Sequence, residues 1–297
     1  MGERRFTNVA VLKGGISSER EVSLRSGGAI ANGLREGGYI VHEIDMASRE
    51  LELPEQVEAV FIALHGWFGE DGEVQQILME KGVPFTGSGI ESCRLSFDKV
   101  LTRNRLLEHG LPVPQGEVVH ASEQRTISIP FVVKPSREGS SVGCHLVREN
   151  SGWKEAFSDS SRFSGDVLVE EYIAGREFTV GVLNGMVLPV VEIIPEVEWF
   201  DYDAKYVTGD TRYEVPARLG KAVAEEMQHI ALEAFNCLEA SDFGRVDFRL
   251  SPDNKPYILE LNAIPGFTET SLLPKAAQAA GIGFSELCCR IMELAHL

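Results

Sequence analysis

Short apolar runs alternate with amphipathic stretches through the first ninety residues. Asn8–Leu12, Ile40–Ile44 and Ala59–Leu64 read as strands buried in a sheet. Between and after them, Glu21–Glu36 and Glu73–Lys81 read as helices, stopped by Gly37-Gly38 and by Gly82. Gly14-Gly15 marks the first turn. Strand and helix in this order predict a parallel sheet of βαβ type. The run Thr86-Gly87-Ser88-Gly89 marks a boundary, and a new helix is expected around Asp98–Gly110.

From there to about residue 180 the pattern gives strands at Phe131–Lys134, Cys144–Val147 and Val167–Tyr172. A small, polar, glycine-bearing loop, Pro135–Gly143, separates the first two. A third unit opens with a strand at Glu177–Leu183 and continues with a helix at Lys221–Cys237. It then has a strand pair, Gly244–Leu250 and Pro256–Asn262, joined by Ser251–Lys255, and a last helix at Phe284–Ala295. The expected fold class is α/β (α+β) in three units: residues 1–90, 91–180 and 181–297.

A chain of 297 residues exceeds one small core, in keeping with several units. Its formal charge of −17 excludes a general nucleic-acid binder, which needs a basic face, but leaves room for a nucleotide held by a few local cations. No apolar run reaches the roughly 18 residues of a membrane span, and neither a signal peptide nor a membrane partner is expected. A cytoplasmic location is the default expectation. Five cysteines without C-x-x-C spacing are expected to be buried free thiols rather than a disulfide framework or a zinc site.

The chemistry concentrates in a few segments. In Gly244-Arg245-Val246-Asp247-Phe248, alternate side chains share a face, so Arg245 and Asp247 point one way while Val246 and Phe248 point to the core. Glu260 and Asn262 share a face of the next strand for the same reason. Pairing the two strands gathers a cation, two carboxylates and an amide on one surface. Oxygen donors without His or Cys suit Mg²⁺ or Mn²⁺ rather than zinc. The alternative is an ordinary solvated sheet face. The following Pro265-Gly266-Phe267 would set the Gly266 N–H beside the ions, where it can hold an anion.

Lys134 ends an apolar strand and precedes Pro135–Gly143, which suits an ammonium and several N–H groups arranged around phosphates. No GxxxxGK[ST] loop occurs in the chain. The mixture of glycine and serine fits a lid that moves. The run Val167-Leu168-Val169-Glu170-Glu171-Tyr172-Ile173 can offer backbone groups and a carboxylate to adenine, with Glu177 near the ribose; a plain surface Glu-Glu pair is its alternative. Glu19 and Glu70 both follow buried strands, at the sheet edge where open α/β sheets bind ligands. Helix capping or first-turn charge is the alternative for both.

In order along nearly the whole chain, LKGGISSEREVS, ALHGWFGEDG, FTGSG, FDKVLTR, VVKPSREGSSVG, LVEEYIAGREFTV, DYDAKYVTGDT, GRVDF and LELNAIPGFTETSLLPKAA resemble the D-alanine–D-alanine ligases of the ATP-grasp superfamily. The resemblance implies a three-domain ATP-grasp fold with an N-terminal parallel-sheet domain, and a reaction that joins two D-alanines through an acyl phosphate at the expense of ATP. It further implies that Lys99, Lys134 and Lys205 contact ATP, and that Glu170, the Ile173 backbone and Glu177 hold adenine and ribose. Asp247, Glu260 and Asn262 match ligands of two Mg²⁺ (or Mn²⁺) ions. Arg245 and the Gly266 N–H match groups that hold the reacting carboxylate and its tetrahedral successor. Glu19 with His65 would bind the ammonium of the first D-alanine, and Ser271 the carboxylate of the second. Ser140 and Tyr206 match lid partners of Glu19, and the tyrosine goes with dipeptide rather than depsipeptide formation. A homodimer is also implied.

The segment departs from the family's PGMT at Phe267, and Trp67 and Phe68 are bulky, which bears on pocket shape. Rival readings are a D-alanine–D-lactate ligase, a dinucleotide-dependent oxidoreductase and a non-catalytic nucleotide sensor. The oxidoreductase lacks its GxGxxG turn and leaves the polar hairpin unexplained, and the sensor would be expected to have lost Arg245 or a metal ligand.

Overall fold

The computed structural model describes residues 4–120, 125–195 and 211–297. Strands β1 (Asn8–Gly14), β2 (Ile40–Met46) and β3 (Ala59–Ile62) form a parallel sheet in the order β2-β1-β3. Helices α1 (Arg20–Glu36) and α2 (Glu73–Lys81) follow their strands as the periodicity predicts. Gly82 closes α2 in the left-handed conformation, φ 67°, which glycine adopts without a Cβ penalty. The expectation that Ile40–Ile44 is buried is corrected: β2 is an edge strand, and Ile40 is 54% exposed. Its charged side meets solvent, where Glu43 pairs with Lys13 and Arg35.

The helix expected around Asp98–Gly110 is α4 (Lys99–Glu108), and a short helix that was not anticipated, α3 (Ile90–Phe97), precedes it. Asp98 between them is extended, and its carboxylate accepts from the Val100 and Leu101 N–H groups, so it is the N-cap at which α4 starts. The next layer is an antiparallel sheet in the order β4-β7-β5-β6, from Gly116–Val119, Val167–Glu171, Phe131–Pro135 and His145–Val147. Helix α5 (Trp153–Ser160) covers it through Trp153, Ala156 and Phe157.

The largest sheet is antiparallel around β8 (Arg176–Leu183), β10 (Val191–Ile194), β11 (Arg212–Glu214), β12 (Phe243–Leu250) and β13 (Pro256–Asn262), in the order β11-β10-β8-β12-β13, with β9 (Met186–Val187) on β8. One face packs on α6 (Lys221–Cys237), where Met227, Ile230, Ala231 and Phe235 meet Phe178, Val246, Phe248 and Leu106 of α4. Burying these apolar side chains, each roughly 1.5–3 kcal/mol, fixes which face of β12 is left for polar chemistry. The last helices, α7 (Leu272–Ala279) and α8 (Phe284–Leu294), return to the start of the chain. Leu287, Cys288, Ile291 and Met292 of α8 share one core with Ile30, Ala31 and Leu34 of α1. The cysteines are free thiols; Cys93 and Cys288 are buried as expected, while Cys144, Cys237 and Cys289 are only partly buried. Among the described residues no helix is long and apolar enough to cross a membrane.

Candidate active site

The β12–β13 register places Arg245 opposite Asn262 and Asp247 opposite Glu260. Val246 and Phe248 are fully buried on the α6 side, so the four polar groups project from the other face together. Arg245 clamps Asp247 with two donors, Nε and Nη2, each at 2.8 Å. The Thr179 hydroxyl of β8 donates to the same carboxylate at 2.6 Å, and the Asn262 amide donates at 3.0 Å. Glu260 lies 3.5 Å from the Lys99 ammonium. The face is therefore an interior wall rather than a solvated sheet surface.

Two cavities meet at this wall. The smaller, about 110 Å³, is lined by Lys99, Lys134, Glu170, Ile173, Glu177, Asp247, Arg249 and Glu260 among others. It brings together every residue expected at ATP except Lys205, which lies outside the described residues. Lys134, the last residue but one of β5, meets Glu170 of β7 at 2.6 Å, both nearly buried. Burial works against the Lys134 charge, but the Glu170 carboxylate and the more distant Glu260 outweigh it and raise the ammonium's pKa above the ordinary lysine value. The Glu-Glu pair does not sit together on the surface: Glu170 turns in to Lys134, while Glu171 accepts the Gln115 N–H at 2.8 Å. Lys99 donates to the Glu138 carbonyl of the Pro135–Gly143 loop at 2.5 Å.

The larger cavity, about 470 Å³, collects Glu19, His65, Ser140, Arg245, Gly266 and Ser271, and shares Glu177, Asp247 and Glu260 with its neighbour. A drug-sized ligand occupies a pocket of this order. Glu19 stands at the N-cap of α1, yet its side chain makes no capping bond; it accepts the Ser140 hydroxyl instead. Glu70 does not cap α2 either: Gly72 is its N-cap, and the preceding Asp71 accepts from the Phe68 and Glu73 N–H groups at 2.8 and 3.0 Å. His65 bridges the Ile264 carbonyl at 3.0 Å and the Ser26 hydroxyl at 3.1 Å, and lies 3.6 Å from Glu70. Burial pulls the His65 pKa down, but the Glu70 and Glu19 carboxylates and the Ile264 carbonyl hold it above the usual histidine value. Burial pushes the Glu70 carboxyl up to about 7, with Glu19 adding to the shift and His65 opposing it. A Cβ on Gly266 would stand 3.7 Å from the Ser271 hydroxyl, so these two groups are neighbours at the start of α7.

Tyr206 lies outside the described residues. Several cavity residues were not anticipated. Arg249, two positions beyond Asp247, donates to the Ile173 carbonyl at 3.1 Å, Glu177 at 3.2 Å and the Tyr172 hydroxyl at 3.0 Å. Strand alternation, extended by one more step, would have found it. Arg25 lines the larger cavity with Glu19 and Val22, a helical spacing of three that α1 already offered. Thr179 carries no signal in the sequence, because only the β8–β12 register sets it opposite Asp247.

Two antiparallel sheets, β4–β7 and β8–β13, flank the cavities beside a parallel N-terminal sheet, which is the ATP-grasp fold. Residues 105–293 match the family described as D-ala D-ala ligase C-terminus. The chain is 43% identical to the D-alanine–D-alanine ligase of Methylacidiphilum infernorum, covering 98% of this chain and 96% of that one. It is 44% identical to that of Syntrophotalea carbinolica, covering 99% and 98%. The crystal structure of the D-alanine–D-alanine ligase from Bacillus anthracis complexed with ATP superposes with a TM-score of 0.86 at 30% identity, over 97% of each chain. The chain belongs to the D-alanine–D-alanine ligase family.

Proposed function

We propose that this protein joins two molecules of D-alanine into D-alanyl-D-alanine, with ATP converted to ADP and phosphate, for peptidoglycan precursor synthesis. The observation that carries the reading is the shared wall. Residues expected at nucleotide line one cavity, residues expected at amino acid line the other, and Asp247 and Glu260 belong to both. A γ-phosphate entering from one side and a carboxylate from the other meet at that wall.

Asp247, Glu260 and Asn262 fit one or two hard divalent cations, since they are oxygen donors on one face. Among the described residues no three His, Cys, Asp or Glu side chains cluster as a complete metal site. Mg²⁺ commonly takes only one or two carboxylates and completes its shell with phosphate and water. When bound, Mg²⁺ would offset charge on the transferring phosphoryl group. Lys134 and Lys99 add cations on the nucleotide side. The first D-alanine would place its carboxylate at Arg245 and the Gly266 N–H and its ammonium at Glu19. Its carboxylate oxygen takes the γ-phosphoryl group, giving an acyl phosphate. The amine of the second D-alanine, its carboxylate at Ser271, attacks the acyl carbon, and phosphate leaves. Arg245 and Gly266 would hold the oxyanion, and the Ser140 loop would exclude water from the acyl phosphate.

In this reading residues 1–90 carry the amino-acid side, 91–180 the nucleotide cover and 181–297 the metal-binding sheet. The enzyme is a cytoplasmic homodimer. Incubation with ATP, Mg²⁺ and D-alanine should release phosphate and D-alanyl-D-alanine in equal amounts. Phosphate release that does not depend on D-alanine, or the absence of dipeptide, refutes the assignment.

A further inference from the structure

A third cavity, about 30 Å³, adjoins the larger one and has room for one or two water molecules. Glu70, Gly139, Glu260 and Asn262 line both, so they form the partition between them. On the far side the small chamber is bounded by Ser96, Lys99 and Glu138. Ser96 is only 7% exposed, and its buried hydroxyl has no hydrogen-bond partner within the protein. A buried hydroxyl left so is costly unless water completes it. The chamber is therefore polar, water-sized and one carboxylate away from the amino-acid cavity.

The reaction proposed above needs such a route, and the inference rests on that reading. The second D-alanine arrives as an ammonium, which cannot attack a carbonyl until it loses a proton. Among the described carboxylates lining the larger cavity, Glu19 accepts Ser140, Glu177 pairs with Arg249, and Asp247 and Glu260 form the proposed metal face. Glu70 is the described one whose neighbour is a histidine, 3.6 Å away, and it is held in the loop after β3 by its N–H bond to the Gly66 carbonyl at 2.9 Å. The titratable groups around it are Glu19 and His65 in the larger cavity, Lys99, Glu138 and Glu260 in the chamber, and the buried Cys93 thiol of α3.

We propose that Glu70 is the proton acceptor for the attacking amine, and that the Ser96 chamber carries the proton away through water. The N–H bond breaks toward Glu70, whose carboxylate becomes a carboxylic acid. The nitrogen lone pair forms the C–N bond, and the C–O bond to phosphate breaks with its electron pair on the phosphate oxygen. The second amine proton leaves with the phosphate, and Glu70 returns its own to the chamber water. The upward push on the half-buried Glu70 carboxyl, from desolvation and Glu19, suits a base working near neutral pH.

The test separates the two half-reactions in the complete enzyme with Glu70→Gln. Acyl-phosphate formation is read as D-alanine-dependent scrambling of ¹⁸O between the bridging and non-bridging positions of ATP. Capture is read with D-alanine, which gives dipeptide, or with hydroxylamine, a nucleophile already uncharged at neutral pH, which gives the hydroxamate. Wild-type dipeptide tests the ligase reading itself. In Glu70→Gln, dipeptide formation should fall on the order of 10²-fold further than scrambling and hydroxamate formation do. Glu70→Asp, which keeps an acid, should recover part of the dipeptide rate. Equal loss of dipeptide and hydroxamate in both variants, or unchanged dipeptide in Glu70→Gln, overturns the proposal.

Discussion

The Ser140 hydroxyl donates to the Glu19 carboxylate, tying the loop after β5 to the first turn of α1. Ser140 and Ser141 both take left-handed backbone there, φ 50° and 60°, and Gly139 passes so near that an added Cβ would lie 2.6 Å from Glu19 Oε2. Both residues line the amino-acid cavity, so the contact forms part of its wall. Ser140→Ala should lower kcat/KM for D-alanine by about 10- to 100-fold, the value of one hydrogen bond to a charged group. Gly139→Ala should raise KM for D-alanine, because Glu19 must move to admit the methyl group. Steady-state kinetics at saturating ATP checks both.

Glu260 faces both principal cavities and sits opposite Asp247 in the sheet register. Glu260→Gln keeps volume and removes a charged oxygen donor. Turnover should fall to background while the urea midpoint changes little. Mn²⁺ titrated in the presence of ADP and followed by electron paramagnetic resonance should bind more weakly than to wild type. Near-normal turnover would remove Glu260 from the proposed metal set.

Lys134 and Glu170 form a nearly buried ion pair, so removing the cation alone has two consequences. Lys134→Ala should lower kcat by roughly 10²–10³-fold through loss of phosphate stabilisation. It should also cost about 3–5 kcal/mol of stability, because Glu170 is left uncompensated. Adding Glu170→Gln should recover much of the stability and little of the rate. Denaturant unfolding beside kinetics separates the two; full recovery of both in the double variant would make Lys134 purely structural.

Asp242 lies away from the cavities. It accepts the Gly87 N–H at 2.8 Å and sits 3.6 Å from His296. Burial pushes its carboxyl up to about 6 from the ordinary 3.8, against the pull of Gly87 and His296. Between these values the folded state holds a proton that the unfolded chain has lost, so this group's contribution to stability falls as pH rises through the window and is constant above it. Asp242→Asn keeps an acceptor for Gly87 but cannot ionise. The stability difference between variant and wild type should therefore shift in the variant's favour from pH 4 to 7, by at most roughly 3 kcal/mol. Thermal melts across that range check the sign; a constant difference would mean Asp242 ionises as it does in the unfolded chain.

Strand alternation alone put Arg245 and Asp247 on one face and Glu260 and Asn262 on another, and the β12–β13 register joins the two faces as that pattern requires. Such positions are legible because their spacing is local and the apolar residues between them must face a core. Lys134 at the end of its strand was legible for the same reason. The buried reading of β2 failed because a strand's place in the sheet order is set by crossovers, not by its own residues. The helix after Asp98 was legible, whereas the short α3 before it went unread beside the glycine-bearing boundary. Glu19 and Glu70 each looked like a helix-start charge, and only the tertiary structure sent one to Ser140, 121 residues away, and set the other between two cavities. Local patterns determine which face of an element is polar. Which distant elements share a cavity depends on how the buried faces pack, and that is a property of the whole chain.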